Sequence, residues 1–343
     1  MLYKLFIRPF LFCLNPEFAH YFIFFLLKIF FYIPGFGQIL RSIYCIRDIR
    51  LEKNIFGLSF KNPIGLAAGF DKNATLFNEL AAFGFGFIEV GTITPEPQPG
   101  NKKPRIFRLK QDQGLINRMG FNNDGVEVII ERIKKKHKNI ILGGNIGKNK
   151  ITSNDVAGSD YEICFKQLAP HVDYLVLNIS SPNTPGLVEL QNKSDLESLL
   201  FQIQSLNKKN HNKPILIKIS PDLNFSQIDQ IIDLVHKFDI SGIIATNTSS
   251  KREGLTISKQ SIDQKGSGGL SGKPIFNRSK EVVSYIYNQS SGQIPIVAVG
   301  GIMTADDAVA MFNAGASLVQ IYTGFVYQGP SIIKEINLKL LNS

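Results

Sequence analysis

Short apolar runs alternate with amphipathic stretches along most of the chain beyond residue 60. Eight runs are mostly apolar, with no regular alternation between polar and apolar positions. They are Ile64–Ala67, Phe87–Val90, Ile140–Ile146, Tyr174–Ile179, Ile215–Ile219, Gly242–Ala245, Ile296–Val299 and Leu318–Tyr322. Continuous apolar runs are typical of parallel strands that are buried on both faces of a sheet. The pattern therefore predicts eight buried parallel strands.

Helical periodicity separates many of these strands, for example at Asp195–Leu206, Ser226–His236, Arg278–Tyr287 and Ala305–Ala314. Repetition of strand and helix eight times indicates the α/β class and a (β/α)8 TIM barrel. A length of 343 residues accommodates one barrel with an extension. A doubly wound sheet is the alternative, but Ala68–Lys72 follows the first strand where that fold usually has G-x-G-x-x-G.

Residues 1–50 differ in composition, and we interpret them as an N-terminal helical extension of a barrel domain at residues 51–343. The extension contains 14 of the 36 Phe and Tyr residues, with six Lys or Arg and two acids. Asn15, Pro16 and Glu17 are typical of a helix start. The helix is expected to continue to Ile33, before Pro34.

The apolar face of this extension has four interpretations. A membrane span needs roughly 20 apolar residues, whereas the run Tyr21–Ile33 is 13 residues long and includes Lys28. A signal peptide is disfavoured because no small-residue cleavage site follows the run. Packing on the barrel stays open, although one packing seam needs fewer aromatic residues. We favour a helical pair that lies peripherally on an anionic membrane surface, with basic residues near the headgroups.

Composition and charge restrict the kinds of protein and of binding partner that fit this chain. The chain is 44% hydrophobic and 19% charged, as in a globular protein. The net charge of +10 suits an anionic ligand or surface. The basic run Arg132–His137 follows an apolar segment and is typical of a solvated helix end, so we expect no nucleic-acid partner. Cys13, Cys45 and Cys164 are far apart, which argues against disulfides and structural zinc and indicates a reducing compartment.

Polar residues and glycines follow nearly every predicted strand. In chain order they are Asp71 and Lys72, Thr92, Asn145 and Lys148, Asn178 with Ser181 and Asn183, Lys218, Thr246–Thr248, Gly300 and Gly301, and Tyr322–Gly324. The carboxyl ends of barrel strands meet on one face, where the active sites of barrels lie. The sequence therefore predicts one shared site on that face.

The residue types on this face favour a planar, phosphate-bearing cofactor and a planar anionic substrate. Asparagines offer paired donors and acceptors to amide heterocycles, and lysines suit anions. Gly300–Gly301 and Thr323–Gly324 occupy the usual phosphate position of a barrel, and Gly266–Gly272 is a further glycine-rich loop. The sequence shows no cluster of metal-ligating residues and no His near Ser181, so we expect neither a metal site nor Ser-His-Asp hydrolysis.

Eight motifs resemble the dihydroorotate dehydrogenase family along the whole chain. They are Asn62–Lys72, Gly91–Pro95, Pro104–Leu109, Ile116–Asn123, Asn145–Lys150, Asn178–Gly186, Ala245–Thr248 and Gly268–Gly272. In the extension, Asn15–His20 resembles class 2, the membrane-associated branch that reduces quinones. The resemblance implies an FMN-dependent oxidoreductase of pyrimidine (UMP) biosynthesis that oxidises (S)-dihydroorotate to orotate and passes the electrons to a membrane quinone.

The resemblance also implies roles for individual residues. One FMN per chain would be bound by Ala68, Gly69, Phe70, Asp71, Lys72, Thr92, Asn145, Asn178, Lys218, Thr246, Gly272, Gly301, Tyr322 and Thr323. Dihydroorotate would be bound by Lys72, Asn117, Arg118, Met119, Gly120, Phe121, Asn178, Asn183, Asn247 and Thr248. A quinone tunnel between the N-terminal helices and the flavin would be lined by His20, Arg108 and Tyr322.

Ser181 separates the classes, because the cytosolic class 1 enzymes have Cys at this position. The resemblance implies that Ser181 is the catalytic base, which removes the C5 proton of dihydroorotate while a hydride leaves C6 for FMN and Lys72 aligns the substrate. A serine base needs a route for its proton, which in the family involves Thr184 and Phe121. Two prolines, Pro182 and Pro185, would stiffen the loop.

The chain starts directly at the helical extension, without a transit peptide, and so looks bacterial. We therefore expect it at the cytoplasmic side of the bacterial inner membrane, as a peripheral protein. Three alternatives stay open: another FMN barrel acting on pyrimidines, a class 1 acceptor such as fumarate or NAD, and a ligand-binding barrel without turnover. Ser181 and residues 1–50 both argue against class 1.

Overall fold

The computed structural model describes residues 2–184 and 186–342, and a closed barrel of eight parallel strands forms its centre. The strands of the chain are β1 (Lys53–Ile55), β2 (Leu58–Phe60), β3 (Ile64–Leu66), β4 (Phe87–Ile93), β5 (Ile106–Leu109), β6 (Gly114–Asn117), β7 (Ile141–Ile146), β8 (Tyr174–Asn178), β9 (Ile215–Ile219), β10 (Gly242–Ala245), β11 (Gly269–Gly272), β12 (Ile296–Val299) and β13 (Leu318–Ile321). The barrel runs in chain order through β3, β4, β7, β8, β9, β10, β12 and β13, and pairing of β13 with β3 closes it.

The predicted TIM barrel is confirmed, since each of the eight apolar runs coincides with one barrel strand. The helices are α1 (Arg8–Cys13), α2 (Pro16–Phe31), α3 (Phe36–Tyr44), α4 (Phe77–Leu80), α5 (Val126–Ile133), α6 (Ala157–Leu168), α7 (Lys193–Asn210), α8 (Phe225–Lys237), α9 (Lys259–Lys265), α10 (Phe276–Gln289), α11 (Ala305–Asn313), α12 (Thr323–Gln328) and α13 (Ser331–Leu341). A π-helical turn lies at Tyr3–Ile7, and 3-10 turns lie at Ile49–Leu51, Ala81–Phe83, Leu187–Gln191 and Lys273–Ile275. The four helices predicted as examples are α7, α8, α10 and α11.

Apolar side chains pack on both faces of the barrel wall. One set of strand side chains, including Ile88, packs under the helices, and a second set, including Phe87, fills the interior. The β1–β2 hairpin contributes Phe60 to the interior, where its ring centroid lies 5.2 Å from that of Phe87. The interior also contains four buried polar residues at inward-facing strand positions, which are Glu89, Asn145, Lys218 and Gln320. These polar residues distinguish this barrel from one with a wholly apolar core.

A small antiparallel sheet of β5, β6 and β11 was not predicted from the sequence. We expected Gly266–Gly272 to be a loop, but Gly269–Gly272 forms β11 and pairs with β6. A Cβ atom at Gly269 would lie 2.0 Å from the hydroxyl oxygen of Thr248, so glycine is needed for this close approach. Short glycine-rich strands have no apolar pattern, which explains why the sequence did not indicate this sheet.

The N-terminal extension contains α1, α2 and α3. As predicted, Asn15 caps α2, and its Oδ1 accepts hydrogen bonds from the backbone N–H groups of Glu17 (3.0 Å) and Phe18 (3.3 Å). The helix ends at Phe31 and not at Ile33 as expected; a proline at position 34 disfavours helical backbone at the residue before it. Among residues 2–184 and 186–342, no single helix is long and apolar enough to cross a membrane, while α2 and α3, bent by 113°, pass that test as a pair.

A buried ion pair joins the extension to the barrel domain. Arg105, in the segment before β5, contacts Glu17 of α2 at 2.7 Å, and the two side chains are 6% and 8% exposed. The Nη1 atom of Arg105 also donates to the carbonyl oxygen atoms of Pro99 and Asn101. Burial by itself raises the pKa of Glu17, but the hydrogen bond and charge of Arg105, with the charge of Lys103, lower it overall.

Glu17→Gln should lower the free energy of unfolding by about 3 kcal/mol at pH 7, because it leaves the Arg105 guanidinium buried without a charge partner. The pKa of Glu17 is lower in the folded state, so its contribution is present at neutral pH and is lost as the pH falls below 4.5. Denaturant titrations at pH 7 and in acid measure both effects.

The control for this prediction is Glu131→Gln, which removes an exposed pair with Lys134. We expect no change in the unfolding midpoint for this control, since exposed pairs contribute little to stability. Equal midpoints at pH 7 for wild type and Glu17→Gln would contradict the role of the buried pair.

Candidate active site

The carboxyl ends of the barrel strands surround one cavity of about 1090 Å³, counted with the space that is open to solvent. The predicted site residues on its wall are Ala68, Gly69, Lys72, Thr92, Asn117, Met119, Gly120, Phe121, Asn178, Ser181, Asn183, Lys218, Thr246, Asn247, Thr248, Gly272, Gly301, Tyr322 and Thr323. The structure therefore brings most of the predicted residues to one place. A cavity of this size suits a planar cofactor together with a small substrate.

Seven predicted residues lie outside the wall of the cavity. They are His20, Phe70, Asp71, Arg108, Arg118, Asn145 and Thr184. The carboxylate of Asp71 accepts hydrogen bonds from the backbone N–H groups of Thr75 (2.8 Å) and Leu76 (2.7 Å). The guanidinium of Arg118 lies 4.6 Å from the ring centroid of Phe107. The side chains of Asp71 and Arg118 thus support the surrounding structure, and any ligand contact by these two residues would come from the backbone.

A chain of hydrogen-bonded side chains lies at and below the floor of the cavity. Asn178 Nδ2 donates to Thr92 Oγ1 at 2.8 Å, and Thr92 Oγ1 donates to Asn145 Oδ1 at 2.6 Å. Asn145 Nδ2 donates to Glu89 Oε1 at 2.8 Å, and Gln320 Nε2 donates to Glu89 Oε2 at 2.5 Å. Asn145 therefore supports Thr92 from behind. Sequence reasoning missed Glu89 and Gln320, although polar residues inside apolar strands were a usable signal.

Ser180 extends this network to the neighbouring strand β9. Its Oγ atom donates to the carbonyl oxygen of Lys218 at 2.6 Å and accepts from Asn247 Nδ2 at 3.0 Å. Asn247 Nδ2 is also 3.2 Å from Asn178 Oδ1. No sequence pattern distinguished Ser180 from an ordinary loop serine, yet this residue holds Asn247 of the cavity wall in place.

Unpartnered polar groups on the wall indicate the kind of ligand that fits. Lys218 is 5% exposed and its ammonium group has no hydrogen-bond or ion-pair partner among the described residues. Burial lowers the pKa of Lys218, and the charge of Glu89 opposes this effect. Gln320 Oε1 is buried and also lacks a partner within the same residues. A planar ring with carbonyl and N–H groups, such as that of a flavin, fits these groups. Its carbonyl groups can accept from the Lys218 ammonium and from the amide NH2 groups, and its N–H groups can donate to Gln320 Oε1.

Lys72 is the second lysine of the wall. Its Nζ atom donates to the carbonyl oxygen of Gly69 at 2.8 Å. Burial lowers the pKa of Lys72 to about 8, and the charge of Arg105 acts in the same direction. The side chain is therefore a cation at neutral pH that loses its charge in mildly alkaline solution.

Backbone groups on the wall form a candidate phosphate site. Thr323 and Gly324 open α12, so their N–H groups have no acceptor within that helix. Gly301 has a φ of 81°, and a Cβ atom there would lie 2.6 Å from Phe276 Cα. A Cβ atom at Gly324 would lie 2.2 Å from the carbonyl oxygen of Ile302. Only glycine therefore allows this close packing, and the exposed N–H groups fit a phosphate.

Ser181 lies on the wall and is 6% exposed. Its Oγ atom accepts a hydrogen bond from the backbone N–H of Asn183 at 3.3 Å, which leaves the hydroxyl proton available for another partner. The hydroxyl oxygen of Thr184, three residues later, is buried and without a partner in the described part of the chain. Pro185, which was predicted to stiffen this loop, lies outside the described residues.

Aromatic rings connect the extension to the cavity. The ring centroid of His20 in α2 lies 4.2 Å from that of Phe24 and 5.3 Å from that of Phe70. Phe70 in turn lies 5.5 Å from Tyr322, which is on the cavity wall. Burial, helped by the charge of Lys72, lowers the pKa of His20 to about 3, so the imidazole is neutral at neutral pH. His20 and Tyr322 are thus the two ends of one aromatic row.

Arg108 lies on a different contact between the extension and the barrel domain. Its Nη1 atom donates to the carbonyl oxygen of Leu14 at 2.6 Å, and its guanidinium lies 4.6 Å from the ring centroid of Phe12. The structure therefore places Arg108 at the junction of α1 and α2 with β5, and not on the aromatic row.

Cysteines and metal-ligating residues add no further site. Cys13, Cys45 and Cys164 are free thiols, and Cys164 is buried. Across residues 2–184 and 186–342, no group of three or more His, Cys, Asp and Glu residues is placed to hold a metal ion.

The chain is similar to known proteins over nearly its whole length. A family model described as dihydroorotate dehydrogenase matches residues 50–343. A dihydroorotate dehydrogenase (quinone) from Christiangramia forsetii is 54% identical over 341 residues, which are 99% of each chain. One from Thermosynechococcus vestitus is 49% identical over 89% of this chain and 84% of that protein. The crystal structure of DHODH in complex with ferulenol from Eimeria tenella has a TM-score of 0.86 at 38% identity and covers 96% of this chain and 91% of that chain.

Proposed function

The chain belongs to the dihydroorotate dehydrogenase family, and we propose that it oxidises (S)-dihydroorotate to orotate in pyrimidine biosynthesis, with FMN as hydride acceptor and a quinone as final electron acceptor. The observation that carries this proposal is the cavity itself. Ser181, an unpaired lysine, several amides and a glycine-lined backbone site share one wall, and an aromatic row leads from that wall to the N-terminal helices.

FMN supplies a two-electron acceptor when it is bound, and the residues of the wall can hold its two ends. The backbone of Gly301, Thr323 and Gly324 would bind the phosphate. The side chains of Thr92 and Lys218 would contact the ring, and the ammonium of Lys218 would stabilise negative charge on it. These groups are held by the barrel strands, so little reorganisation is needed on binding.

The substrate would lie between the ring and the loop that carries Ser181. Asn117, Asn183 and Asn247 offer amide groups to a pyrimidine, and the Lys72 ammonium offers a charge to its carboxylate. The amide groups of Asn117 and Asn183 are already 3.2 Å apart, which preorganises this side of the cavity. Ser181 Oγ would remove the C5 proton as its own hydroxyl proton passes to the Thr184 hydroxyl, which has no partner among the described residues and would relay a proton on to water.

The proposal is tested with purified flavoprotein under anaerobic conditions. Dihydroorotate should remove the visible absorbance of the bound flavin, and a short-chain quinone should restore it. Fumarate and NAD are the comparison acceptors. Colourless protein that does not take up FMN would overturn the flavoenzyme assignment, whereas yellow protein that dihydroorotate does not bleach would overturn only the substrate. Faster reoxidation by fumarate or NAD than by quinone would overturn class 2.

The KM for dihydroorotate should rise as the pH increases above about 8, because burial lowers the pKa of Lys72 to about 8 and the free enzyme then loses the cation that binds the substrate carboxylate. The rise should approach tenfold per pH unit. Steady-state kinetics between pH 6.5 and roughly 9.5 would show it. A KM that stays constant over this interval would contradict the pairing of Lys72 with the substrate.

We also propose that residues 2–49 lie on an anionic membrane surface and deliver the quinone to the aromatic row. Most of the exposed large apolar side chains of the described residues belong to this extension, including Phe6, Phe18 and Phe25. Lys4, Arg8 and Arg41 are in the same segment and suit the anionic cytoplasmic leaflet of a bacterial inner membrane. The division into an extension at 1–50 and a catalytic barrel at 51–343 follows from these two roles.

A further inference from the structure

Glu89 is a fully buried carboxylate at the centre of the barrel. Its two oxygen atoms accept hydrogen bonds from two side-chain amides, which are Asn145 Nδ2 at 2.8 Å and Gln320 Nε2 at 2.5 Å. Among the described residues, Glu89 has no ion-pair partner. Its charge acts on Lys218 only by opposing the lowering of the Lys218 pKa that burial causes. Burying a charge is costly unless the group is well hydrogen-bonded. A carboxylate in this position therefore calls for an explanation beyond packing.

The carboxylate determines the direction of the hydrogen bonds that lead from Asn145 to Thr92. A carboxylate accepts and does not donate, so the NH2 group of Asn145 must face Glu89. Asn145 then presents its carbonyl oxygen to Thr92, and the Thr92 hydroxyl must donate to it at 2.6 Å. Because that proton is used, Thr92 accepts from Asn178 Nδ2 at 2.8 Å, and Asn178 presents its Oδ1 to Asn247.

The consequence reaches the cavity wall, which Thr92, Asn178, Asn247 and Gln320 line. Each of these side chains has at least one donor or acceptor direction occupied by the network and can offer only its remaining directions to a ligand. Gln320 shows this most simply: its NH2 group is held by Glu89, and its Oε1 is buried without a partner in the described structure and available to a ligand N–H.

We propose that Glu89 is a positioning residue that fixes the donor and acceptor pattern presented to the flavin by the side chains above it. This inference rests on the proposed function, since it assumes that FMN is the ligand. Glu89 does not touch the cavity itself; it acts through Asn145 and Gln320. It thereby fixes the orientation of the Asn145 amide, the Thr92 hydroxyl and the Gln320 amide. The backbone N–H groups of Ser180 and Thr248 donate to Asn178 Oδ1 (3.4 Å) and Asn247 Oδ1 (2.8 Å), so they give those two asparagines the orientation that this pattern needs.

Glu89→Gln tests the proposal because it keeps the size of the side chain and replaces one acceptor with a donor. Either Asn145 or Gln320 must then turn over. Turning Asn145 would reverse the chain through Thr92 to Asn178, and turning Gln320 would present an NH2 group to the ligand. We expect FMN to bind at least about tenfold more weakly and the midpoint potential of the bound flavin to shift.

Asn145→Asp in the Glu89→Gln background is the rescue. The carboxylate introduced at position 145 accepts from both the new amide at position 89 and the Thr92 hydroxyl, so the direction of the chain from Thr92 onwards is restored. Asn145→Asp alone places two carboxylates together and should weaken FMN binding severely. The double variant should bind FMN more tightly than either single variant, which a purely structural role of Glu89 does not predict.

The readouts are the dissociation of FMN from diluted holoenzyme, followed by FMN fluorescence, and the midpoint potential of the bound flavin. Wild-type affinity and potential in Glu89→Gln, or a double variant that binds no better than both single variants, would overturn the inference. If Glu89→Gln does not fold, recovery of a folded yellow double variant supports the proposal, and its failure to fold overturns it. Wild-type protein that binds no FMN would instead overturn the proposed function.

Discussion

Ser181→Ala should slow the reduction of bound flavin by dihydroorotate by roughly 10²–10⁴-fold, the usual contribution of a general base, while the protein stays yellow. The side chain lies on the cavity wall, is almost fully buried and makes a single described hydrogen bond, with the N–H of Asn183. Its removal therefore takes away a reactive hydroxyl without disturbing the network that supports the flavin site. The rate is measured by anaerobic stopped-flow mixing with dihydroorotate.

The Ser181→Cys variant tests whether a different base at the same position restores flavin reduction. A thiol has a reference pKa of about 8.5 and is a competent base without a proton route, so part of the lost rate should return and should increase with pH up to that range. Orotate affinity and FMN content, measured for each variant, separate chemistry from binding. Near-normal flavin reduction by Ser181→Ala would remove this residue from the role of base.

Replacing Phe6, Phe18 and Phe25 together by serine should lower the partitioning of the protein onto anionic vesicles by at least about 10³-fold. These three rings are 68%, 58% and 61% exposed, so their loss removes little packing within the protein. Burial of each ring in the interface contributes roughly 1.5 kcal/mol or more. Turnover with a long-chain quinone in vesicles should fall in parallel, while dihydroorotate-dependent bleaching should be unchanged.

A matched control separates membrane contact from general surface hydrophobicity. Phe201 of α7 is 64% exposed, close to the 61% of Phe25, but it lies on the barrel domain. Phe25→Ser should reduce vesicle binding, whereas Phe201→Ser should leave it unchanged. Added salt should weaken binding further, because the basic residues of the extension act through screened charges. Equal effects of the two substitutions would contradict the assignment of the extension as the membrane surface.

The sequence by itself determined the barrel and the position of its site. A parallel strand that is buried on both faces needs an apolar residue at nearly every position, so Ile215–Ile219 and its seven equivalents were recognisable locally. The carboxyl ends of such strands must share one face, so Asn178, Lys218 and Thr246 could be assigned to one cavity without coordinates. The motif around Ser181 was then one of the eight motifs whose resemblance identified the family.

The tertiary structure decided which of those residues face the cavity and what supports them. Asn145 and Asp71 follow strands as Thr92 does, but Asn145 lies behind the wall and Asp71 caps a turn. The sheet that contains β11 and the pair of Glu17 with Arg105 join segments far apart in the chain, and neither has a local pattern.

Glu89 shows the same limit most clearly. Glu89 interrupts an otherwise apolar run and so could be noticed, but the partners that give the carboxylate its role lie on β7 and β13. Local sequence patterns report which face of an element is buried, because burial depends on the element's own periodicity. They do not report which polar groups meet inside the barrel, because hydrogen-bond partners and their donor and acceptor directions are set by contacts between distant strands.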